Sequence, residues 1–126
     1  MTTSTPNGDG AISENIGLSD ITLSTIANKW VVFTVLALRS GPLRHGELLR
    51  RIAGATMPTL TGTLRRLEAA GLVTRTVYPE VPPRVEYALT ESGQTLAVPV
   101  SVLAEWAEAN ADAFRPTEAI DTDETY

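Results

Sequence analysis

Residues 56–90 read TMPTLTGTLRRLEAAGLVTRTVYPEVPPRVEYALT, and a change of period inside this stretch decides the fold. Thr56 is a good helix N-cap, because its hydroxyl can accept a free backbone N–H of the first turn. Leu60, Leu64 and Leu67 recur at i, i+4 and i+7 and form one apolar stripe. Gly71 ends that helix. From Leu72 to Tyr78 the chain is β-branched and roughly alternating, the pattern of a strand. Pro79-Glu80-Val81-Pro82-Pro83 cannot sit inside a ladder and makes a stiff loop. Arg84 to Leu89 reads as the returning strand.

Upstream, Gly46 opens a helix with Glu47 in its first turn, Leu48, Leu49 and Ile52 inward, and Gly54 as its stop. Two short helices joined by Ala53-Gly54-Ala55 are a helix-turn-helix candidate, and the hairpin directly after makes it a winged one. Lys29 to Leu38 is apolar nearly all round and reads as the buried central helix, stopped by Ser40-Gly41-Pro42. Before it, Ser19 or Asp20 can cap a short helix through Ile21, Leu23, Ile26 and Ala27. Downstream, Thr90 caps a last helix to about Phe114, with Leu96, Val100, Leu103 and Ala107 on one stripe. Pro99 should bend it or remove one hydrogen bond. The predicted fold is mainly α with a small β-hairpin wing. Residues 1–16 read as a disordered tail, 17–114 as the winged helix-turn-helix domain with its flanking helices, and 115–126 as an acidic tail.

The chain has 126 residues, 43% hydrophobic and 20% charged, which suits one soluble domain with a modest core. Cysteine is absent, which excludes disulfides, thiolate metal sites and thiol redox sensing. The single histidine, His45, argues against a His-built metal site or a Ser-His-Asp triad. No acid/base constellation, metal cluster or phosphate-binding Gly loop is evident, so no catalytic residue, metal or cofactor is assigned and an enzyme is the poorest reading. The longest apolar run, Trp30 to Leu38, is about half of what spans a bilayer. No basic segment precedes an apolar one at the start, so the expectation is a cytoplasmic protein with no membrane partner.

Net charge is −5, yet its distribution is uneven. Residues 1–28 carry −3 and residues 88–126 carry −7, while residues 29–87 hold nine of the ten basic residues and carry +5. A basic middle between acidic ends fits an electrostatic footprint on one face.

Three segments resemble the HxlR-type (MarR-like) winged helix-turn-helix regulators. Ile26-Ala27-Asn28-Lys29-Trp30 is close to that family's IGGKW segment. Gly41-Pro42 through Glu47-Leu48 is similar to its GPxRFxEL. Leu64-Arg65-Arg66-Leu67-Glu68-Ala69-Ala70-Gly71-Leu72-Val73, with the wing that follows through Thr90, carries the longest likeness. The resemblance spans roughly residues 20–108. It implies a dimeric bacterial transcription factor whose first and last helices make the dimer and whose middle helices enter the major groove of double-stranded DNA. Three departures stand out. The N-terminal cysteine of many members is missing, His45 replaces a Phe, and Pro58 and Gly62-Thr63 stand where the recognition helix usually has a Lys and a Gln-Arg pair.

With Leu60 and Leu64 inward, the outward arc of the recognition helix, about Thr56–Ala70, holds Pro58, Thr59, Gly62, Arg65, Arg66 and Ala69, flanked by Thr61 and Thr63. The first two turns should meet base edges, where threonine offers a hydroxyl and a methyl. Gly62 is either a close backbone approach to DNA or a tolerated surface glycine. Arg65 and Arg66 lie later, at phosphates or beside a neighbouring Glu. Lys29 and Arg44, at helix starts and expected on one side, are the best phosphate candidates. The wing, about Leu72–Leu89, should lie on the flanking backbone or minor groove. Arg84 either enters that groove or pairs with Glu86 or Glu68. His45 either contacts a phosphate or caps the helix after it. Trp30, Phe33 and Trp106 are core or interface residues, or they wall a small apolar pocket for a small-molecule effector. The leading expectation is a homodimeric, sequence-specific regulator modulated by a non-thiol signal such as a small apolar ligand. Its rival is a winged-helix protein-interaction module without DNA binding.

Overall fold

The computed structural model describes residues 16–114. The two tails fall outside them, except that Ile16 already belongs to the first helix. In chain order the elements are α1 (Ile16–Ile26), α2 (Lys29–Leu38), β1 (Leu43–Arg44), α3 (His45–Arg51), α4 (Met57–Ala69), β2 (Val73–Tyr78), β3 (Arg84–Leu89) and α5 (Glu91–Ala109). A short 3-10 turn, Asp112–Phe114, follows. The three strands form an antiparallel sheet in the order β1-β3-β2.

Each boundary has a local cause. Asn28 Oδ1 accepts the Trp30 N–H at 2.8 Å and starts α2. The Arg44 N–H donates to the Glu47 carboxylate at 2.8 Å and starts α3. The Thr56 hydroxyl accepts the Thr59 N–H and starts α4. Gly54 and Gly71 adopt φ of +83° and +76°, a left-handed turn that costs a residue with a Cβ. Ser19 and Asp20 lie inside α1 rather than at its cap, because the helix already begins at Ile16, three residues before Ser19.

One core joins all these elements. Val31, Val35 and Leu38 of α2 meet Leu48 of α3, Leu60, Leu64 and Leu67 of α4, Val73 of β2 and Ala97 and Val100 of α5. The expected stripe of α5 is displaced. Leu103 is 56% exposed and Ala107 is also exposed, while Gly93, Ala97 and Val100 face inward. Small residues take the inward face because α5 starts so close to the hairpin root. A Cβ at Gly93 would run into the Leu72 carbonyl oxygen and crowd Leu89. Thr90 pins the same junction, donating its hydroxyl to the Gly71 carbonyl at 2.7 Å and accepting the Gly93 N–H at 3.1 Å. The helix continues through Pro99, which removes one backbone donor.

β1 is the element missing from the sequence expectation. Leu43 and Arg44 pair with Tyr87 and Glu86 and tie the start of α3 to the wing. The wing is therefore the outer part of a three-stranded sheet rather than a free hairpin.

Candidate nucleic-acid interface

Helix α3, the turn around Gly54 and helix α4 make the helix-turn-helix, and the ring of Trp30 lies 3.7 Å from where a Cβ on Gly54 would stand. This contact locks the turn against the start of α2. Lys29 is exposed, with its ammonium 4.8 Å from the Trp30 ring centroid. Arg44 is also exposed, at the β1–α3 junction beside Glu86. The two candidate phosphate contacts therefore sit against different neighbours, one at the start of α2 and one at the sheet.

On α4, Pro58, Gly62, Arg65 and Arg66 are exposed and Thr59 and Thr61 are half-buried. Space around Gly62 is open, with no atom within 4 Å of a built Cβ. Neither Arg65 nor Arg66 has a side-chain partner among the described residues. Thr56 donates its hydroxyl to Thr59 Oγ1 at 2.9 Å, so part of the capping residue is committed to the helix start. Thr63 departs from expectation: it is 3% exposed and donates its hydroxyl to the Thr59 carbonyl at 2.9 Å. It flanks the arc on the core side, and its polar atom is satisfied within the helix.

The wing also differs. Arg84 does not reach Glu68. It donates to Glu80 at 2.8 Å and to Glu86 at 2.6 Å, and its guanidinium carbon lies 3.8 Å from the Tyr78 ring centroid. The hydrogen bond to Glu80, aided by the charge of both carboxylates, raises its pKa further above the ordinary arginine value. The same hydrogen bond, with the charges of Arg84 and Arg44, holds Glu80 below the usual carboxylate value. Of the two roles left open for Arg84, pairing within the wing is the one it adopts here.

His45 is the first residue of α3, not a cap. Its Nε2 is 3.2 Å from Thr61 Oγ1, and its ring meets Tyr87 edge-on at 6.4 Å between centroids. It links α4 to the sheet.

The three-aromatic pocket is not assembled within the chain. Trp30 packs edge-on to Phe33 at 6.1 Å, whereas Trp106 pairs with Phe114 at 5.8 Å. The apolar groove lies elsewhere, between α1 and α5. It holds about 510 Å³ and is lined by residues that include Ile26, Leu72, Leu96 and Pro99. A second, polar cleft of about 360 Å³ lies between α4 and the sheet, lined by Thr61, Leu64, Arg65, Glu68, Arg75 and Tyr87. Arg75 was not among the expected site residues. The signal was present: β2 alternates, so Arg75 shares the face of buried Val73.

Among the described residues no group of three or more His, Asp or Glu could hold a metal ion. No described helix is long and apolar enough to cross a membrane.

A family model, HxlR-like helix-turn-helix, matches residues 25–114. The chain belongs to the HxlR-like helix-turn-helix family. It is 40% identical over 112 residues to an HTH-type transcriptional regulator of Methanothermobacter thermautotrophicus, covering 84% of this chain and 86% of that one. Among solved structures, the transcriptional regulator YtfH from Salmonella typhimurium superposes with a TM-score of 0.70 at 37% identity, covering 75% of this chain and 85% of that one. The redox regulator HypR in its reduced form gives 0.69 at 42% identity, covering 75% and 94%. HxlR relatives are transcription regulators with a winged helix-turn-helix, so the chain is a DNA-binding protein of transcription regulation. The interaction-module reading gains no support from these relatives.

Proposed function

We propose that this chain acts as a homodimeric, sequence-specific regulator whose α4 enters the major groove. The observation that carries the reading is the outward arc of α4. Pro58, Gly62, Arg65 and Arg66 are exposed, and among the described residues the two arginines have no side-chain partner. Thr59 and Thr61 stand at its margin, where a hydroxyl and a methyl meet base edges. Open space over Gly62 lets the backbone itself approach the base pairs. Lys29 and Arg44 neutralise flanking phosphates. At the wing, Arg44 rather than Arg84 supplies the free charge.

Exposed apolar side chains support dimerisation through the terminal helices. Val98, Val102, Leu103 and Trp106 of α5 and Leu23 of α1 are each more than half exposed. A domain this small cannot cover them alone, and an isologous two-fold contact would. The apolar groove between α1 and α5 is the candidate place for a small apolar effector.

The deciding experiment titrates cognate and scrambled duplexes at several salt concentrations, the cognate site coming from selection of bound genomic fragments. Lys29→Ala and Arg44→Ala should weaken all DNA alike and lower the salt slope by about one per lost contact per protomer. Thr59→Ala should leave the slope in place and lower discrimination at one symmetric pair of positions by about 1–3 kcal/mol at most. Equal loss on both duplexes would exclude this helix as the reader. Sedimentation equilibrium of the same protein at micromolar concentration checks the dimer.

A further inference from the structure

The polar cleft between α4 and the sheet has a property the outward arc lacks: two cations from different elements line one space. Arg65 comes from α4 and Arg75 from β2, and in the ladder Arg75 stands opposite Tyr87 of β3. Glu68 lines the same cleft, yet among the described residues no carboxylate oxygen lies within 4.0 Å of either guanidinium. The side chains of Arg65, Arg75 and Glu68 make no hydrogen bond among the described residues. Arg84 on the neighbouring strand shows what this sheet does with a committed arginine, holding it between two carboxylates. Two unpaired guanidiniums on one cleft repel each other, and an anion placed between them removes that repulsion.

The hydroxyls complete the arrangement. Thr61 Oγ1 is held by His45, and the His45 ring packs edge-on to Tyr87. When His45 carries its proton on Nε2 and donates to Thr61 Oγ1, Thr61 and Tyr87 can each present an O–H to an oxyanion, and each arginine offers a planar fork matched to two of its oxygens. We propose that this cleft is an oxyanion site that takes a single phosphate group between Arg65 and Arg75, with Thr61 and Tyr87 as hydroxyl donors. Glu68 opposes further negative charge, which favours one phosphate over a polyphosphate. The phosphate group belongs either to the DNA backbone or to a free small molecule. The site is a property of the chain alone; only the DNA source rests on the reading of α4 as the DNA-binding helix.

The test uses the full chain labelled with nitrogen-15 and titrated with inorganic phosphate, the ionic strength held constant with chloride. The expected result is saturable shifts at Thr61, Arg65, Arg75 and Tyr87. They should be lost in Arg65→Ala and Arg75→Ala, weakened in Arg75→Lys, and kept in Arg51→Ala. Both cleft arginines are exposed, so the variants should fold, which circular dichroism verifies. In parallel, DNA retention is measured against salt. If inorganic phosphate binds and displaces DNA at constant ionic strength, the site takes a free anion in competition with DNA. If free phosphate does not bind but Arg75→Ala lowers the salt slope by about one per protomer, the occupant is a backbone phosphate. Saturable phosphate binding by a protein that retains no DNA would uphold the site and refute the DNA reading. Diffuse, non-saturating shifts together with an unchanged slope in Arg75→Ala would overturn the proposal.

Discussion

The outward arc of α4 and the tip of the wing both carry arginine, and they treat it in opposite ways. Arg65 and Arg66 stand exposed on α4 with no carboxylate among the described residues to hold them. Arg84 is clasped by Glu80 and Glu86 and lies over Tyr78. An arginine at the edge of a nucleic-acid interface is therefore not by itself a phosphate contact. Its own chain can neutralise it first, and displacing a bidentate carboxylate offsets much of what a phosphate would contribute. The wing tip is a self-neutralised support, whereas arginines without a salt bridge among the described residues lie on α4, at Arg44 and in the cleft at Arg75.

The comparison can be broken most severely at its hinge. Helix and hairpin keep their relation because Gly93 lets α5 close on the Leu72 carbonyl. Gly93→Ala forces backbone atoms apart and should cost about 1–3 kcal/mol. In a thermal melt that is a fall of about 4–8 °C per kcal/mol for a domain of this size. An unchanged melt would mean that the junction is looser than the geometry here.

Gly62→Ala tests the α4 side with two readouts of opposite sign. The added methyl meets open space and removes a weak helix former, so stability should rise by up to about 1 kcal/mol. Specific DNA affinity should fall if the backbone approaches the bases at this point. A higher melting temperature with unchanged affinity would demote Gly62 to an ordinary surface residue.

Glu80→Gln sharpens the wing side. Removing one of the two carboxylates releases part of the Arg84 charge, so non-specific DNA binding should strengthen at neutral pH. The salt slope should steepen by at most about one per protomer. Acid should do the same in the wild type. Because Arg84 holds the Glu80 carboxyl below 4.5, the pair's small stabilisation is complete above that value and is lost as pH falls through the lower folded value. Between pH 5 and 8 the Glu80–Arg84 pair should contribute no change to the melting temperature. If Glu80→Gln leaves non-specific retention unchanged, the wing tip does not approach DNA.

The smallest expected effect is zero. HypR is described as a redox regulator, but this chain has no cysteine. Treatment with diamide should leave DNA affinity unchanged, and a loss reversed by dithiothreitol would contradict the argument, since no thiol is present to supply it.

Much of this fold was legible because local rules and burial agree in particular places. The bounds of α2 at Lys29 and Leu38 follow from an apolar run between an Asn cap and a Ser-Gly-Pro stop. β3 starts at Arg84 because the prolines before it cannot sit in a ladder, and ends at Leu89 before the Thr90 cap. β1 was not legible, since two residues carry no period and acquire strand geometry only by pairing with Glu86 and Tyr87, more than forty positions away. The inward face of α5 was misjudged for a related reason. Leu103 is the more apolar residue, but the close approach at Gly93 turns the small residues inward and leaves Leu103 outside.

The candidate site divides the same way. Residue order by itself determined that a winged helix-turn-helix would form, that α4 would bury Leu60, Leu64 and Leu67, and that basic charge would gather between residues 29 and 87, because periodicity, capping and net charge are local or additive properties. Only the tertiary structure decided which polar groups are free. Thr63 is turned inward onto the Thr59 carbonyl, Arg84 is captured by carboxylates four positions before it and two after it, and Arg75 is brought into the same cleft as Arg65. Hydrogen bonds and ion pairs fall off within a few ångströms, so the availability of a side chain depends on distances that folding sets and that spacing along the chain does not.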